Sequence, residues 1–359
     1  MSNLFYVPII KTSEAEIKAV ENLTEEIKDE ITPLFELTRS RKSKKVPEGD
    51  IYRRLEKLKE VYGTRPFILD LTGEPNLTND QIESLHNNDS GYKTWIQFLT
   101  EIQEEYPDII PVIQISDEGV DTRREFYSRI KKQVLSLDRQ FKIIAYRFPL
   151  EYKFYKEDLD EICEQTSSKK IYCIIDAGYI TQEKHPIFSE KAIQVISELN
   201  QYAMGEIILA GTSFPRNPIE HGDDEEGQYH LEEWLMYLKV SKRESKLIYG
   251  DYATINPIRN LQAGGRGWVP RIDLPTETMI HYRRSRRREY ESKYNSAYIR
   301  VAKKIKEMNE YDEVRDSFDE CWGIEQIELA SEGYPQSLHP SFWISVRMNI
   351  HMTQRYILF

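Results

Sequence analysis

The amino-acid sequence predicts an α/β fold, a closed (β/α)8 barrel of the TIM type, on three observations. Eight short apolar runs recur along residues 6–257: YVPIIK (6–11), ITPLFELTR (31–39), PFILDLTG (66–73), IIPVIQIS (109–116), KIIAYRFP (142–149), IYCIIDAG (171–178), EIILAGTSFP (206–215) and KLIYGDYATINP (246–257). Within each run the apolar residues are continuous rather than alternating, as in strands of a parallel sheet covered by helices on both faces. Most runs are separated by stretches with helical spacing, and eight strand-helix units in roughly 250 residues match the count and length of a closed barrel. An open doubly wound sheet is the alternative.

Taken in order, the first strand ends at Lys11. The segment after it carries Ile17, Val20, Leu23 and Ile27 at a three-to-four spacing that buries one helical face. Ser13 and Glu16 have the spacing of a capping box. The second strand delivers Glu36 and Arg39 and leads into the basic loop SRKSKKVPEGD, which reads as a solvated turn. A helix then closes on Gly63. The third strand ends near Asp70, the fourth at Gln114 and Ser116, the fifth at Arg147 and the sixth at Asp176. The seventh ends in Thr212-Ser213-Phe214-Pro215, followed by an acidic loop and a helix expected over Tyr229 to Leu238. The eighth gives Gly250-Asp251-Tyr252.

Three units follow from this pattern. Residues 1–257 form the barrel, residues 258–288 a lid or hairpin over its mouth, and residues 289–359 a helical extension packed on it. Gly264, Gly265 and Gly267 suit a lid turn, and Glu277 to Arg284 reads as an added strand or hairpin.

Composition narrows the function classes. The chain has 359 residues, 40% hydrophobic and 30% charged, an ordinary globular balance. No apolar run approaches the roughly 20 residues of a membrane span, and the N-terminus lacks the order of a signal peptide, so a cytoplasmic protein with no membrane partner is expected. Cys163, Cys173 and Cys321 lie far apart, which suggests neither a zinc knuckle nor a disulfide framework. A formal net charge of −11 argues against broad non-specific nucleic-acid binding.

Strand ends in a (β/α)8 barrel share one mouth. That rule gathers Lys11, Glu36, Arg39, Asp70, Gln114, Arg147, Asp176, Thr212, Ser213, Asp251 and Tyr252. Glu36, Asp70, Asp176 and Asp251 are the candidate catalytic acids, because crowded carboxylates shift one another's pKa toward acid/base work. Carboxylates without nearby histidine suit Mg²⁺ or Mn²⁺, with Asp176 and Asp251 as candidate ligands. Lys11, Arg39, Arg147, Thr212, Ser213 and Tyr252 are candidate ligand-binding groups, joined by Arg283 and Arg284 of the arginine run and by His351. The competing reading is an internal salt-bridge network that seals the barrel top.

The opening YVPIIKTSEAEIKAVENL with ITPLFEL, the GDYATINP stretch, the HYRR segment and the closing FWISVRMNIHMT together resemble the Beta-protein family over essentially the whole chain. The resemblance implies a barrel-like protein of phages and bacteria, found near mobile-element and phage-defence genes, without implying a reaction. The family pattern carries adjacent histidines where this sequence has Ile350-His351, which bears on any role needing both imidazoles. The expected function is a role in phage defence or phage–host conflict, the mouth binding a phosphorylated ligand, a nucleotide or a nucleic-acid end, with metal-assisted phosphoester hydrolysis as its chemistry. The alternative is a non-catalytic scaffold or binding subunit that partners an effector protein.

Overall fold

A computed structural model describes residues 4–218, 225–258, 268–291 and 293–359. The strands are β1 (Tyr6–Lys11), β2 (Leu34–Leu37), β3 (Phe67–Leu71), β4 (Ile109–Pro111), β5 (Ile144–Pro149), β6 (Ile171–Tyr179), β7 (Glu206–Thr212), β8 (Glu226–His230), β9 (Leu247–Asp251), β10 (Arg271–Pro275) and β11 (Met279–Arg284). The helices up to β8 are α1 (Glu14–Glu21), α2 (Glu25–Glu30), α3 (Tyr52–Tyr62), α4 (Asp80–His86), α5 (Asp89–Ile102), α6 (Arg123–Gln140), α7 (Tyr155–Cys163) and α8 (Lys184–Leu199). After β8 come α9 (Glu232–Ser241), α10 (Asn295–Lys306), α11 (Asn309–Asp316), α12 (Trp322–Ser331) and α13 (Pro340–Ile357).

All eight predicted runs supply strands of one parallel sheet, in the order β4-β3-β2-β1-β9-β7-β6-β5. A parallel bridge between Val112 and Ala145, with Ile113 N–H donating to the Ala145 carbonyl at 2.8 Å, joins the two ends and closes the barrel. Inside the wall, Val7, Ile9, Leu34, Ile68, Val112, Ala145, Ile174, Ile208, Ala210 and Ile248 pack together. Their neighbours of opposite parity, among them Tyr6, Ile10, Phe35, Phe67, Tyr146, Ile175 and Tyr249, join the larger core between strands and helices. This two-sided burial is why the runs are apolar without alternation.

The excursion between β7 and β9 departs from expectation. Tyr229 lies in β8, and the helix begins only at Glu232. β8 pairs antiparallel with β11, and β11 with β10, so the predicted hairpin exists within a separate three-stranded sheet. Ile272 and Leu274 of β10 pack with Tyr298, Val301, Ile305, Ile327, Trp343, Val346 and Ile350, a second core that ties this sheet to the C-terminal helices. Gly264, Gly265 and Gly267 lie outside the described residues. The extension docks on the barrel through α13, where the Asn349 amide donates to the Ala19 and Asn22 carbonyls at 3.2 and 3.0 Å. Among the described residues no helix is long and apolar enough to cross a membrane.

Candidate functional site at the barrel mouth

Two residues beyond the inward apolar layer, each barrel strand places one polar or aromatic-hydroxyl side chain at its C-terminal end. The pairs are Ile9 and Lys11, Leu34 and Glu36, Ile68 and Asp70, Val112 and Gln114, Ala145 and Arg147, Ile174 and Asp176, Ala210 and Thr212, and Gly250 and Tyr252. Strand register sets neighbours, with Lys11 beside Glu36 and Glu36 beside Asp70. The period of two that makes the barrel interior apolar thus brings a polar ring to its mouth.

Arg147 occupies the centre of the ring. Its Nη1 donates to Glu36 Oε1 and to Asp70 Oδ2, both at 2.8 Å, and its Nε and Nη2 donate to Asp176 Oδ2 at 3.1 and 2.8 Å. Nη2 also donates to the Tyr252 hydroxyl at 2.8 Å, which in turn donates to Asp176 Oδ2 at 2.5 Å. Around this hub Lys11 Nζ lies 3.3 Å from Glu36 Oε2, and the Gln114 amide donates to Asp70 Oδ1 at 3.0 Å. Backbone N–H groups complete the set, Leu71 to Asp70 Oδ1 at 2.8 Å and Gly178 to Asp176 Oδ1 at 2.9 Å. Gly178 can do so because β6 bulges between Asp176 and Tyr179, with Gly178 at φ +59°.

The charged side chains of the ring are 13% exposed or less, so each faces its neighbours rather than solvent. Burial opposes the charge on Glu36, but Lys11 and Arg147 outweigh it and hold the carboxyl below its usual range. Burial likewise opposes the charge on Arg147, yet Tyr252, Asp176, Glu36 and Asp70 keep it firmly protonated. Burial pushes the Tyr252 hydroxyl well up, so it stays a donor. Three carboxylates against two cations leave the ring with a formal charge of −1.

The remaining predicted site residues lie elsewhere. Arg39 turns away, donating to the Asn76 carbonyl at 2.7 Å and the Ser40 carbonyl at 3.2 Å. Ser213 donates to the His230 carbonyl at 2.6 Å and accepts from Glu232 N–H at 3.2 Å, at the start of α9. Arg283 pairs with Glu226 across the β8–β11 ladder at 3.4 Å, and Arg284 is buried in a small cleft with Glu225, Val269 and Ser285. Asp251 has the outward parity of Tyr249 and faces α13. Its Oδ1 accepts from the Tyr6 hydroxyl at 2.9 Å and from Ala253 N–H at 2.8 Å, and its Oδ2 lies 2.6 Å from His351 Nε2. The expected Asp176–Asp251 metal pair is therefore divided by the barrel wall, with every oxygen of both carboxylates already engaged. Among the described residues no group of three or more His, Cys, Asp or Glu side chains is placed to hold a metal ion.

Sequence reasoning missed Glu16. Its Oε2 accepts from Lys11 N–H at 2.5 Å and its Oε1 from the Ser13 hydroxyl at 3.0 Å, so the capping-box acid reaches past the N-cap to the strand end. Burial, partly offset by Lys11, pushes its carboxyl up to about 7. It also missed the fully buried Glu233 and Arg355, which flank Asp251 and His351 behind the wall. Glu233 follows an acidic neighbour at a helix start, which reads as a solvated first turn. Arg355 sits in a tail apolar enough to pack on the barrel, but an arginine within it reads as a group that reaches solvent.

A closed eight-stranded α/β barrel with its polar ring at the C-terminal strand ends defines a TIM-type barrel protein. This chain belongs to the Beta protein family, whose model matches residues 6–356. Protein beta of Enterobacteria phage P4 is 27% identical over 363 residues, covering 98% of this chain and 93% of that protein. Among solved structures, a trimodular GH5_4 subfamily endoglucanase gives a TM-score of 0.45 at 8% identity, over 70% of this chain and 56% of that one. A β-mannanase from Streptomyces thermolilacinus with mannohexaose gives 0.38 at 10% identity, over 69% and 78% of the two chains. A family 1 β-glucosidase from Thermotoga maritima gives 0.36 at 10% identity, over 70% and 87%. The likeness to these enzymes says nothing of substrate.

Proposed function

We propose that the protein is a non-catalytic barrel, a binding or scaffold subunit that partners an effector protein, in the setting of phage defence or phage–host conflict. One observation carries this reading. A guanidinium has five N–H donors, and all five of Arg147 are engaged within the ring. The six oxygens of Glu36, Asp70 and Asp176 are engaged as well. A general base, a metal ion or a phosphate at the mouth would compete with bonds that these carboxylates and Arg147 already make, while Lys11 Nζ, ion-paired with Glu36 Oε2, keeps N–H donors to spare. A ring in which every charged group has a partner of opposite sign suits the sealing of a barrel top, since charges buried at strand ends are tolerated when paired.

The second reading keeps a phosphorylated ligand, nucleotide or nucleic-acid end at the mouth, with Mg²⁺- or Mn²⁺-assisted hydrolysis. The concentration of acids, cations and a tyrosine at barrel strand ends favours it. An incoming phosphate would meet the spare N–H donors of Lys11 or displace carboxylates from Arg147.

Asp176→Asn and Tyr252→Phe separate the two when protection of cells against phage and melting temperature are measured on the same variants. A sealing network predicts that protection falls in step with the folded fraction. Protection abolished in a variant that melts with the wild type would establish chemistry at the mouth and overturn the scaffold reading.

A further inference from the structure

We infer that the loop between β2 and α3, together with the first turn of α3, docks the backbone of a single-stranded nucleic acid. Residues 39–53 hold six basic side chains (Arg39, Arg41, Lys42, Lys44, Lys45, Arg53) against two acidic ones (Glu48, Asp50), on a chain whose formal net charge is −11. The local sign is thus opposite to that of the molecule, and a polyanion repelled elsewhere is steered here.

The loop is built to present its charges. Ser40 N–H donates to the Asp50 carbonyl at 3.1 Å and Asp50 N–H to the Ser40 hydroxyl at 3.0 Å, which closes its base. Ser43 and Val46 exchange backbone bonds at 3.0 and 3.1 Å, and the Asn79 amide donates to the Gly49 carbonyl at 3.3 Å. Gly49 is at φ +77°, where a Cβ would lie 2.4 Å from the Ser40 carbonyl oxygen, so glycine is required. Arg39 is turned into the base and Lys42 is paired with Glu48 at 2.8 Å. Arg41, Lys44, Lys45 and Arg53 are exposed and make no side-chain hydrogen bond or ion pair among the described residues. Tyr52, 38% exposed at the start of α3, adds an aromatic ring that packs edge-on to Phe98 and whose hydroxyl donates to Glu101 at 3.2 Å. Cations tracking phosphates with a ring for a base to stack on is the composition of single-strand sites, whereas an acidic peptide has no use for the ring.

The test is fluorescence anisotropy with a labelled oligo-dT of about 20 nucleotides, at about 50 and about 200 mM salt, on the full chain. Arg41→Ala/Lys44→Ala/Lys45→Ala, at exposed positions, should lower affinity at least about tenfold at the lower salt. It should also reduce the slope of log K against log salt by roughly 2, the value for three lost phosphate contacts. Tyr52→Ala should weaken binding with the slope retained. Absence of wild-type binding, or a triple variant with unchanged affinity and slope, would overturn the inference. Poly-glutamate competing as well as oligo-dT at equal charge would overturn it in favour of an acidic protein segment.

Discussion

Asp251 and Tyr252 are consecutive in the chain and send their side chains to opposite sides of the barrel wall. Tyr252 joins the mouth ring through Arg147 and Asp176, while Asp251 reaches outward to Tyr6 and to His351 of α13. The turn that follows is strained, with Ala253 at φ 44° and Thr254 at φ 68°. Both of its residues are held, Ala253 by Asp251 Oδ1 and Thr254 by Arg347 Nε at 3.1 Å. Arg347 also pairs with Asp273 of β10 at 2.9 Å. The C-terminal helix therefore clamps the strand end that carries a mouth residue.

Removing that clamp should cost stability rather than chemistry. Burial holds His351 below its usual pKa, so its neutral ring donates Nε2–H to Asp251. Burial opposes the charge on Asp251, but His351 and Ala253 N–H outweigh it and keep the carboxyl low. His351→Ala and Asp251→Asn should each lose about 2–5 kcal/mol in guanidinium unfolding, the range for breaking a buried charged hydrogen bond. A loss below about 0.5 kcal/mol in both would show that the clamp is dispensable.

Two buried acids set an opposing pH dependence. Burial raises Glu233 to about 7 and, against the pull of Lys11, Glu16 to about 7. Between the unfolded carboxyl value and about 7 the folded state keeps protons that the unfolded state has released, so these groups make stability fall as pH rises, with no further change above about 7. The lowered His351 works the other way, since the unfolded chain binds its proton first as pH falls. Comparison with Glu233→Gln isolates one term. Relative to wild type, that variant should gain roughly 1–3 kcal/mol as pH goes from about 5 to about 8. A wild-type-minus-variant difference that is flat across this range would mean Glu233 is not proton-bound in the fold.

Two glycines separate backbone strain from steric overlap. A Cβ at Gly178, φ +59°, meets nothing within 4 Å, whereas one at Gly49, φ +77°, lies 2.4 Å from a backbone oxygen. Gly178→Ala should cost about 1–2 kcal/mol, the left-handed penalty alone, and Gly49→Ala more than that. Equal costs in chemical denaturation would contradict the overlap at Gly49.

The barrel was legible because each strand is covered on both faces, which writes a continuous apolar run into the sequence. The mouth was legible in part, since Lys11, Glu36, Asp70, Gln114, Arg147, Asp176, Thr212 and Tyr252 all follow from the strand-end rule. Asp251, Ser213 and Arg39 were gathered by the same rule and lie elsewhere, because a strand end fixes height along the barrel while parity fixes the face. One residue of register separates Asp251 from Tyr252, and run boundaries are not read to one residue. The chain has 23 tyrosines. Several donate to carboxylates in the structure, Tyr6 to Asp251, Tyr146 to Asp158, Tyr155 to Glu198 and Tyr252 to Asp176, pairings far apart in sequence that no local pattern reveals.

The role of the mouth ring rests most directly on the stability of Arg147→Met, measured by guanidinium unfolding at neutral pH and again near pH 5. Met keeps much of the side-chain volume and removes every bond to Glu36, Asp70, Asp176 and Tyr252. If the ring seals the barrel, the variant should lose about 3–5 kcal/mol at neutral pH, the cost of leaving buried carboxylates without their partner. Part of that loss should return near pH 5, as the carboxylates take up protons. An Arg147→Met protein within about 0.5 kcal/mol of wild type at neutral pH would contradict the sealing role and leave the ring free to act as a ligand site.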